Sequence, residues 1–497
     1  MAIRSRRLKA AIAAGTCLVL TACGSAVPPK QFIEAQNALG AFGGNGTNNG
    51  NNGNNGNGNL PAGNGTGSNL PTNGASSGAN GGGGGNGGSG GGGGNGGSGG
   101  GGGSSSGGGG IASGIKIGSC AGFKNGPGVT NSSITLANVA DVSGPVPGLF
   151  AGVQQAMKAF VAYFNSSSSI CGRKLSLVSL DSQTSSTGDQ QASTTACSRA
   201  FAMVGSMGAF DDGGAQTVTR CGIPDLRTAA TEQARINSPV VFGTQSLNAS
   251  YVPTAPADFY KKQYPGVADK AAFLYLDAGA SKLNAENEIA GWKARGFNFV
   301  YTAGISVETI DYGSYVTKLK SSGVKYVQFV GAYQYAIRLA QAIQARSDYT
   351  PKPLFVMDPV GYDPGFVKSG GSAVEGTHIW INSRTFEEAS SIPEMQTYIQ
   401  WLGRVAPGKS PNYFGIFAWA AGLLFVQKAL ELGGQLTRSS MINALKGVDN
   451  YTGDGMFGPQ HVARKVTGSC YGFIVLKGGK WVREGPRPFS CGSTTKV

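Results

Sequence analysis

Few side chains in this sequence have the types and spacing that catalysis requires. Only two histidines occur, His378 in an apolar stretch and His461 in a polar one, so a nucleophile would lack a well-placed base. A serine motif of the nucleophile-elbow type at 74–78 lies in a glycine-rich tract, without the strand and helix that it needs. Glu286 and Glu288 are interpreted as solvated surface residues of a helix. We therefore do not expect an enzyme.

A loop at 141–148 is better placed to bind a small molecule. It follows a short strand at 134–139 and precedes a helix from Phe150, whose apolar residues recur at helical spacing. A strand, a turn at Ser143-Gly144-Pro145 and an amphipathic helix make the first half of a βαβ unit. Ligands sit at the carboxyl ends of such strands because peptide N–H groups and helix N-termini converge there. We expect this loop to form one wall of a ligand cleft.

The alternation of strand and helix continues along the chain in two series. Strand-like runs at 174–180 and 202–205 extend the first series, and runs at 271–276, 326–330 and 354–357 mark the second. Two serial βα arrays predict an α/β fold of two Rossmann-like lobes with parallel sheets. The space between two lobes is a favoured position for a ligand.

The chain before residue 115 has a different composition. Glycine accounts for 83 of the 497 residues, mostly in this part, and no charged residue occurs between Glu34 and Lys116. A tract of Gly, Asn and Ser has nothing apolar to bury, so we expect a disordered Gly/Asn-rich linker. The remaining roughly 380 residues are enough for two lobes with a sizeable core.

The formal net charge of +14 does not indicate a nucleic-acid partner. Four of the cationic residues lie before residue 10, in a segment that we expect to be removed, which leaves 36 cations against 26 anions. The remaining charges are scattered, without a Lys/Arg run or interleaved aromatic residues. We interpret them as a solvated surface near an anionic cell envelope.

The first residues resemble a bacterial lipoprotein signal. A basic segment precedes an apolar run at 10–20, which is too short to span a bilayer and ends in Leu20-Thr21-Ala22-Cys23-Gly24. The resemblance implies a signal peptide at 1–22 and a lipid anchor on Cys23. The alternative is an ordinary secretory signal with a chance cysteine. The most apolar later stretch, 414–426, is interpreted as a buried core helix.

Five short motifs follow one another in a characteristic order between residues 128 and 491. They are Gly128-Val129-Thr130, Ser143-Gly144-Pro145, Cys171-Gly172-Arg173-Lys174-Leu175, Cys221-Gly222-Ile223-Pro224 and Lys477-Gly478-Gly479-Lys480-Trp481. In this order they resemble the type I periplasmic-binding fold, specifically the leucine/isoleucine/valine-type (branched-chain amino acid) receptors of ABC importers. Ala137 departs from the family, where glycine is usual, and the loop after Pro145 is shortened. Leu149 or Phe150 would then replace the usual aromatic wall.

The resemblance implies that the chain crosses between the lobes three times. We place the crossings near 242–252, 381–383 and 448–451. The expected domains are then the signal at 1–22 and the linker at 23–114, followed by lobe 1 at 115–250 and 384–449. Lobe 2 would comprise 251–383 and 450–497.

The resemblance also implies an amino-acid-like ligand and the residues that hold it. Burying a carboxylate or an ammonium group without a partner costs several kcal/mol, so each needs its own set of contacts. The carboxylate would take N–H and hydroxyl donors of lobe 1, and the ammonium group would take Asp358, with Tyr333 as an aromatic lid. The implied lobe 1 contacts are Ser143, Ala209, Phe210, Thr228, Ala229 and Thr231.

Structural explanations of the same residues remain open at this stage. Thr228 and Thr231 are also suited to cap a helix, and Asp358 before Pro359 to begin a turn. Tyr333 is equally compatible with ordinary packing. Asp211 or Asp212, in a lobe 1 loop, would instead indicate a cationic or amide ligand.

Six cysteines remain beyond Cys17 and Cys23, and they indicate an oxidising compartment if they are bridged. Sequence alone allows fifteen pairings. The favoured ones are Cys197 with Cys221 and Cys470 with Cys491, which would pair Cys120 with Cys171. Metal ligation is disfavoured because no CxxC motif occurs.

The expected protein is therefore a lipid-anchored receptor on the outer side of the cell membrane. It would capture an amino acid or a similar small polar solute by hinge closure and present it to an ABC permease and its ATPases. The head is expected to be monomeric and to need no cofactor or metal. The alternative is a surface-tethered sensor or adhesion module with the same fold and no transport role.

Overall fold

The computed structural model describes residues 115–497, and its two large sheets define two lobes. The expected signal peptide, the lipidated Cys23 and the Gly/Asn-rich linker lie outside the described residues. The two lobes are built from elements that alternate along the chain as the sequence predicts.

The elements have the following bounds. The strands are β1 (Ser133–Ala140), β2 (Lys174–Asp181), β3 (Ala202–Val204), β4 (Asp225–Arg227), β5 (Val241–Gly243), β6 (Tyr251–Pro253), β7 (Ala271–Leu276), β8 (Phe299–Ile305), β9 (Tyr326–Val330), β10 (Leu354–Met357), β11 (His378–Ile381), β12 (Cys470–Lys477), β13 (Lys480–Glu484), β14 (Ser490–Cys491) and β15 (Thr494–Lys496). The α-helices are α1 (Ala151–Ser167), α2 (Ser186–Arg199), α3 (Ala215–Cys221), α4 (Gln233–Asn237), α5 (Thr254–Gln263), α6 (Ala280–Lys293), α7 (Gly313–Ser321), α8 (Tyr333–Ala345), α9 (Pro364–Gly370), α10 (Pro393–Val405), α11 (Tyr413–Leu432) and α12 (Arg438–Leu445).

Both sheets have the doubly wound character that the sequence predicts. The first contains five parallel strands in the order β2-β1-β3-β4-β5, with Ser133 opposite Lys174 at one end of the β1–β2 pair. The second has the order β13-β12-β11-β10-β9-β7-β8, parallel from β11 to β8 and antiparallel at β12 and β13. The predicted fold class, α/β with two Rossmann-like lobes, is confirmed.

Helix α11 forms the centre of the first lobe. It packs against α1, where the rings of Phe160 and Trp419 meet edge to face at 5.2 Å. A Cβ atom at Gly422 would lie 2.4 Å from the Phe160 ring, so glycine permits this close approach. Among the described residues α11 is the one helix that is long and apolar enough to cross a membrane, but 83% of its most apolar stretch is buried inside the protein. It is a core helix.

Three segments connect the lobes, between β5 and β6, after β11, and between α12 and β12. They are bonded to one another: the backbone N–H of Ser246 donates to Gln460 Oε1 at 3.0 Å, and that of Asn248 to Thr467 Oγ1 at 2.9 Å. The backbone N–H of Gly458 donates to the carbonyl of Asn382 at 2.8 Å, which joins the segment after β11 to the one between α12 and β12. The hinge is therefore one hydrogen-bonded unit, because each segment contacts another.

Three disulfides brace the described chain. They join Cys120 to Cys171, Cys197 to Cys221 and Cys470 to Cys491. These are the pairings that the sequence analysis favours. The last of them holds β14 beside β12, where Cys470 and Cys491 face each other directly.

Candidate functional site

A cleft lies between the two lobes at the carboxyl ends of their parallel strands. Its walls include the loops after β1, β3 and β4 in the first lobe and those after β7, β9 and β10 in the second. The hinge segment 245–253 closes one side. The enclosed volume is about 150 Å³. Open α/β sheets bind their ligands in this position, so the cleft is the candidate functional site.

The lining of the cleft is largely apolar and rich in aromatic side chains. Aliphatic residues such as Val146, Leu149, Met207, Leu276 and Val330 contribute to both walls. The aromatic residues of the lining are Phe150, Phe210, Tyr251, Trp380, Phe414 and Tyr471. Leu149 and Phe150, the expected substitutes for the usual aromatic wall, both line the cleft.

The structure brings four of the eight sequence-derived ligand contacts to the cleft. They are Ala209 and Phe210 after β3, Thr231 after β4, and Asp358 after β10. The other four lie outside the lining. Thr228 and Ala229 are fully buried within the first lobe, and the Thr228 hydroxyl donates to the carbonyl of Gly205 at 3.0 Å.

The remaining two residues, Ser143 and Tyr333, make other contacts. Ser143 is exposed, and its hydroxyl donates to the carboxylate of Asp181. Tyr333 begins α8 and is half-buried against Phe366, with the two ring centroids 6.5 Å apart. Its neighbour Ala332 lines the cleft instead.

The donors of the first-lobe wall are already bonded within the protein. The backbone N–H of Ala209 donates to Asp141 Oδ2 at 2.8 Å, and that of Thr231 donates to Asp211 Oδ2 at 3.0 Å. The Thr231 hydroxyl donates to the carbonyl of Gly208 at 2.6 Å. These groups therefore hold the loop in place, and Thr231 caps no helix.

The interpretation of Asp211 as a ligand-facing residue is wrong. Asp211 is fully buried and pairs with Arg227, whose Nη2 lies 3.3 Å from Asp211 Oδ2. Arg227 also pairs with Asp225, and Asp225 pairs with Arg235 at 2.7 Å. Asp189 completes this buried network through Arg235 at 3.2 Å. Its guanidinium partner, Arg227, lies sixteen residues further along the chain, so the local sequence around Asp211 did not indicate this burial. Asp212 accepts a hydrogen bond from the Ser186 hydroxyl.

The interpretation of Glu288 as a solvated residue is also wrong, whereas Glu286 is exposed as expected. Glu288 lies on the face of α6 that lines the cleft. Its side chain is partly exposed as a whole, but Oε2 is buried and has no hydrogen-bond partner within residues 115–497. Burial, and then the charge of Asp358, raises the pKa of Glu288 well above its ordinary value.

Asp358 is the second carboxyl group of the cleft. Burial raises its pKa to about 8, although the backbone N–H groups of Val360 and Gly331 oppose this by stabilising the charged form. One oxygen, Oδ1, is buried and unpaired in the described part of the chain. The cleft therefore contains two desolvated carboxyl groups from neighbouring elements of the second lobe.

Two further polar residues of the lining did not emerge from the sequence. Gln245 is 8% exposed and donates to the Tyr413 hydroxyl at 2.8 Å, which leaves its Oε1 buried and without a partner among the described residues. Trp380 is 6% exposed, and its Nε1 is likewise unpaired there. Gln245 lies in one expected crossing between the lobes and Trp380 lies beside another. The predicted position of the crossings could therefore have indicated that both residues face the cleft.

The two lobes are in contact at the N-terminus of α6. The backbone N–H of Ala280 donates to the carbonyl of Ala209 at 3.1 Å. Ala209 and Ala280 both line the cleft, so this hydrogen bond joins its opposite walls. The contact requires the lobes to be close together.

Among the residues that the structure describes, no group of three or more His, Cys, Asp or Glu side chains is placed to hold a metal ion. His378 lies in β11 with Nδ1 3.1 Å from Glu484 Oε2, and His461 lies 2.8 Å from Asp449 Oδ1. Neither histidine lines the cleft. The arrangement can enclose a small molecule between two lobes, with carboxyl groups on one side and aromatic rings around it.

Comparison with known proteins agrees with this geometry. A model of the periplasmic binding protein family matches residues 133–480, which is most of the described chain. The chain belongs to this family. The family consists of binding proteins and not of enzymes, which agrees with the expectation from the sequence. Its extracytoplasmic character also agrees with three disulfides.

Several solved structures share the fold at low sequence identity. A fatty acid ABC transporter substrate-binding protein from Thermomonospora curvata has a TM-score of 0.63 and 19% identity, and the match covers 76% of this chain and 95% of that one. A solute-binding protein from R. palustris in complex with benzoate has a TM-score of 0.60 and 16% identity, with coverages of 74% and 98%.

A branched-chain amino acid transporter substrate-binding protein from Streptococcus pneumoniae, in complex with isoleucine, has a TM-score of 0.59 and 16% identity. That match covers 71% of this chain and 100% of the other. A search of curated protein sequences finds no significant match. At these low identities the solved structures establish only the fold of this chain.

Proposed function

We propose that this protein is the solute-binding component of an ABC importer, and that it captures a small solute between its lobes outside the cytoplasm. The observation that carries the proposal is the cleft at the carboxyl ends of both sheets, with unpaired polar atoms in an apolar lining. An apolar pocket with a few convergent polar groups is the usual form of a small-molecule site.

Hinge closure is the mechanism that this architecture supports. The three connecting segments are bonded to one another, while the lobes meet across the cleft through Ala280 and Ala209. A ligand that contacts both walls stabilises the closed arrangement by the difference of its affinities for the closed and open forms. Closure would then signal occupancy to a membrane permease and its ATPases.

The ligand class is proposed from the resemblance and from the related structures. The resemblance implies an amino acid or a similar small polar solute, with Asp358 as the partner of its ammonium group. The printed names of three similar structures refer to fatty acid, benzoate and isoleucine, which shows that one fold serves ligands of different chemistry. The aromatic lining of this cleft favours a ligand with an apolar body.

A lipid on Cys23 is the proposed anchor. The sequence before Cys23 has the charge and apolar pattern of a lipoprotein signal, and a lipidated cysteine holds a protein at a membrane without a spanning helix. The anchor would keep the head near the permease that it serves.

Native mass spectrometry of the full-length protein from its own host tests the proposal. We expect a small solute to be retained and then released on partial unfolding. We also expect that solute to raise the melting temperature in proportion to the logarithm of its concentration above Kd. A protein that carries no solute, and that no amino acid, amide, amine or carboxylate stabilises, would contradict the solute-binding role.

In that case the surface-tethered sensor or adhesion module becomes the leading hypothesis. Genes for a permease and ATPases beside the gene for this protein would favour transport over that alternative.

A further inference from the structure

The cleft has buried hydrogen-bond acceptors that lack partners. Glu288 Oε2, Asp358 Oδ1 and Gln245 Oε1 are all buried and unpaired with respect to residues 115–497. All three residues line the cleft, and Gln245 is more than nine-tenths buried. An unpaired acceptor in an apolar site is costly, so these oxygens are suited to a ligand that brings donors.

The hydrogen-bond donors that the resemblance assigns to the ligand are, by contrast, mostly occupied. The N–H groups of Ala209 and Thr231 and the Thr231 hydroxyl, which the resemblance assigns to a ligand carboxylate, already donate to Asp141, Asp211 and Gly208. Among the side-chain nitrogens of the described lining, the neutral indole N–H of Trp380 is the one that is buried and unpaired. These donors of the first lobe are therefore not free to bind an anion.

The ionisable groups of the described lining that can carry charge near neutral pH are all acidic. Glu288 and Asp358 are its only ionisable acidic residues, and no Lys, Arg or His from the described residues faces it. A ligand carboxylate would add a third acidic group to a desolvated site without a counter-charge, which is unfavourable. An ammonium group would instead favour the ionised form of both carboxyl groups and complete charge-assisted hydrogen bonds with them.

Aromatic rings add a second attraction for a cation. Six aromatic residues line the cleft, and Trp380 and Tyr471 meet edge to face at 5.2 Å. The face of an aromatic ring attracts a cation, most strongly where water is excluded, and an apolar body packs against the same rings. A positive charge and an apolar body can occur together in one small molecule.

We propose that the ligand is an organic cation, an ammonium group on an apolar body without a carboxylate, held by Glu288, Asp358 and Gln245. This inference deepens the proposed solute-binding function and rests on it. It assigns to Glu288 a role in specificity that the family resemblance did not give. It also separates this cleft from those of related structures whose names refer to isoleucine, benzoate or fatty acid, since each of those ligands carries a carboxylate.

A matched set of three compounds tests the charge of the ligand. In 3-methylbutylamine, leucine and 4-methylpentanoate the branched body is the same, and the polar groups are an ammonium, both charges, and a carboxylate. A second set is 2-phenylethylamine, phenylalanine and 3-phenylpropanoate. Calorimetric titration of the full-length protein, freed of solute by partial unfolding and refolding, would measure each affinity. We expect the amine of at least one set to bind roughly 10-fold or more tightly than its amino acid, and the carboxylate not to bind.

Glu288→Gln is the decisive variant, and Glu286→Gln is its matched control on the same helix. The Glu288→Gln change keeps the volume and removes a charge partner, so we expect amine affinity to fall roughly 10- to 100-fold. Glu286 is exposed, so its replacement should leave the affinity unchanged. A circular dichroism spectrum and melting temperature would show that both variants fold.

The outcomes separate this inference from the broader proposal. An amino acid or carboxylate that binds more tightly than its amine would overturn the cation assignment while supporting solute capture. Equal amine affinity in wild type and Glu288→Gln would overturn the role of Glu288. If no amine of either set bound at millimolar concentration, the cation assignment would fail. A solute seen by native mass spectrometry would then still uphold the receptor function.

Discussion

A Cβ atom on Gly279 would lie 2.7 Å from the carbonyl oxygen of Ala209, although the two residues belong to opposite lobes. It would also lie 3.3 Å from the ring of Phe210. Gly279 has a φ of +53°, a left-handed conformation that residues with a side chain rarely adopt. Closure therefore depends on a missing side chain at the point where the lobes meet.

Gly279→Ala is expected to hold the cleft partly open. The added methyl group collides with backbone across the interface, and backbone cannot move aside as a flexible side chain does. Small-angle X-ray scattering should show a larger radius of gyration than for the wild type, and affinity for the retained solute should fall. Gly371→Ala is the control, because Gly371 has a φ of +52° but open space around its Cβ position. A similar expansion in both variants would show that backbone strain, and not the lobe contact, is responsible.

Asp358 should make the ligand-free protein less stable as pH rises. Its pKa is about 8 in the folded state against an ordinary 3.8, so between these values the folded state retains a proton that the unfolded state has released. Stability then falls with rising pH by up to about 1.4 kcal/mol per unit from this group. Urea unfolding at several pH values would measure the slope.

Asp358→Asn should remove this contribution, because the amide does not titrate. Between pH 5 and pH 8 the free energy of unfolding should therefore fall with rising pH in the wild type, while in the variant it should lack this decrease. Asp269→Asn, at an exposed position, serves as the comparison. Parallel pH profiles for the wild type and Asp358→Asn would show that the carboxyl is already ionised in this range.

The sequence could predict the sheets and the general position of the cleft, but not which side chains face it. Alternation of strands and helices is a local pattern, so both lobes followed from it, as did a core helix around 414–426. The facing of Glu288 depends on how α6 sits against the other lobe, which no local spacing records. The burial of Asp211 depends on Arg227, a partner distant in the sequence.

The buried ion network predicts a large difference between two aspartate variants. Asp225 is fully buried, and its Oδ2 lies within hydrogen-bond distance of both Arg227 and Arg235. Asp225→Asn leaves these guanidinium groups short of one counter-charge, which should cost about 3–5 kcal/mol in the free energy of unfolding. Asp258 pairs with Arg295 at the surface, with both side chains 42% exposed, so Asp258→Asn should cost about 1 kcal/mol or less. Chemical denaturation measures both, and equal losses would contradict a structural role for the network.

The side chain of Arg438 should contribute strongly to the stability of the first lobe. Its guanidinium group donates to four carbonyl oxygens, those of Cys197, Ala200, Phe201 and Cys221. It thereby joins α12 to both ends of a disulfide. Arg438→Met removes the donors while keeping much of the apolar stem, and we expect a loss of about 1.5–3 kcal/mol.

Thermal and urea unfolding would measure the Arg438→Met loss. Arg220→Met, at an exposed site near the same disulfide, is the matched control and should change stability little. If both variants unfolded at the same urea concentration as the wild type, the carbonyl contacts of Arg438 would be energetically unimportant.

The proposed lipid anchor predicts that one substitution changes the cell fraction in which the protein is found. Cys23→Ser removes the thiol that would carry the lipid, so the protein should move from the membrane fraction to the soluble extracytoplasmic fraction. Cys17→Ser changes a cysteine in the same leader and should leave the protein with the membrane. A Cys23→Ser protein that stays with the membrane would contradict anchoring through Cys23.

The ion network beneath the 208–213 loop has a consequence for the entropy of binding. Asp211 is bonded to the N–H groups of Thr231 and Glu232 and is paired with Arg227, so the first-lobe wall is rigid before any solute arrives. A wall that is already ordered loses little conformational freedom when a solute settles on it. In the proposed capture, the entropic penalty would then fall mainly on the second lobe. The two walls of the cleft would thus contribute unequally to the entropy of the proposed capture.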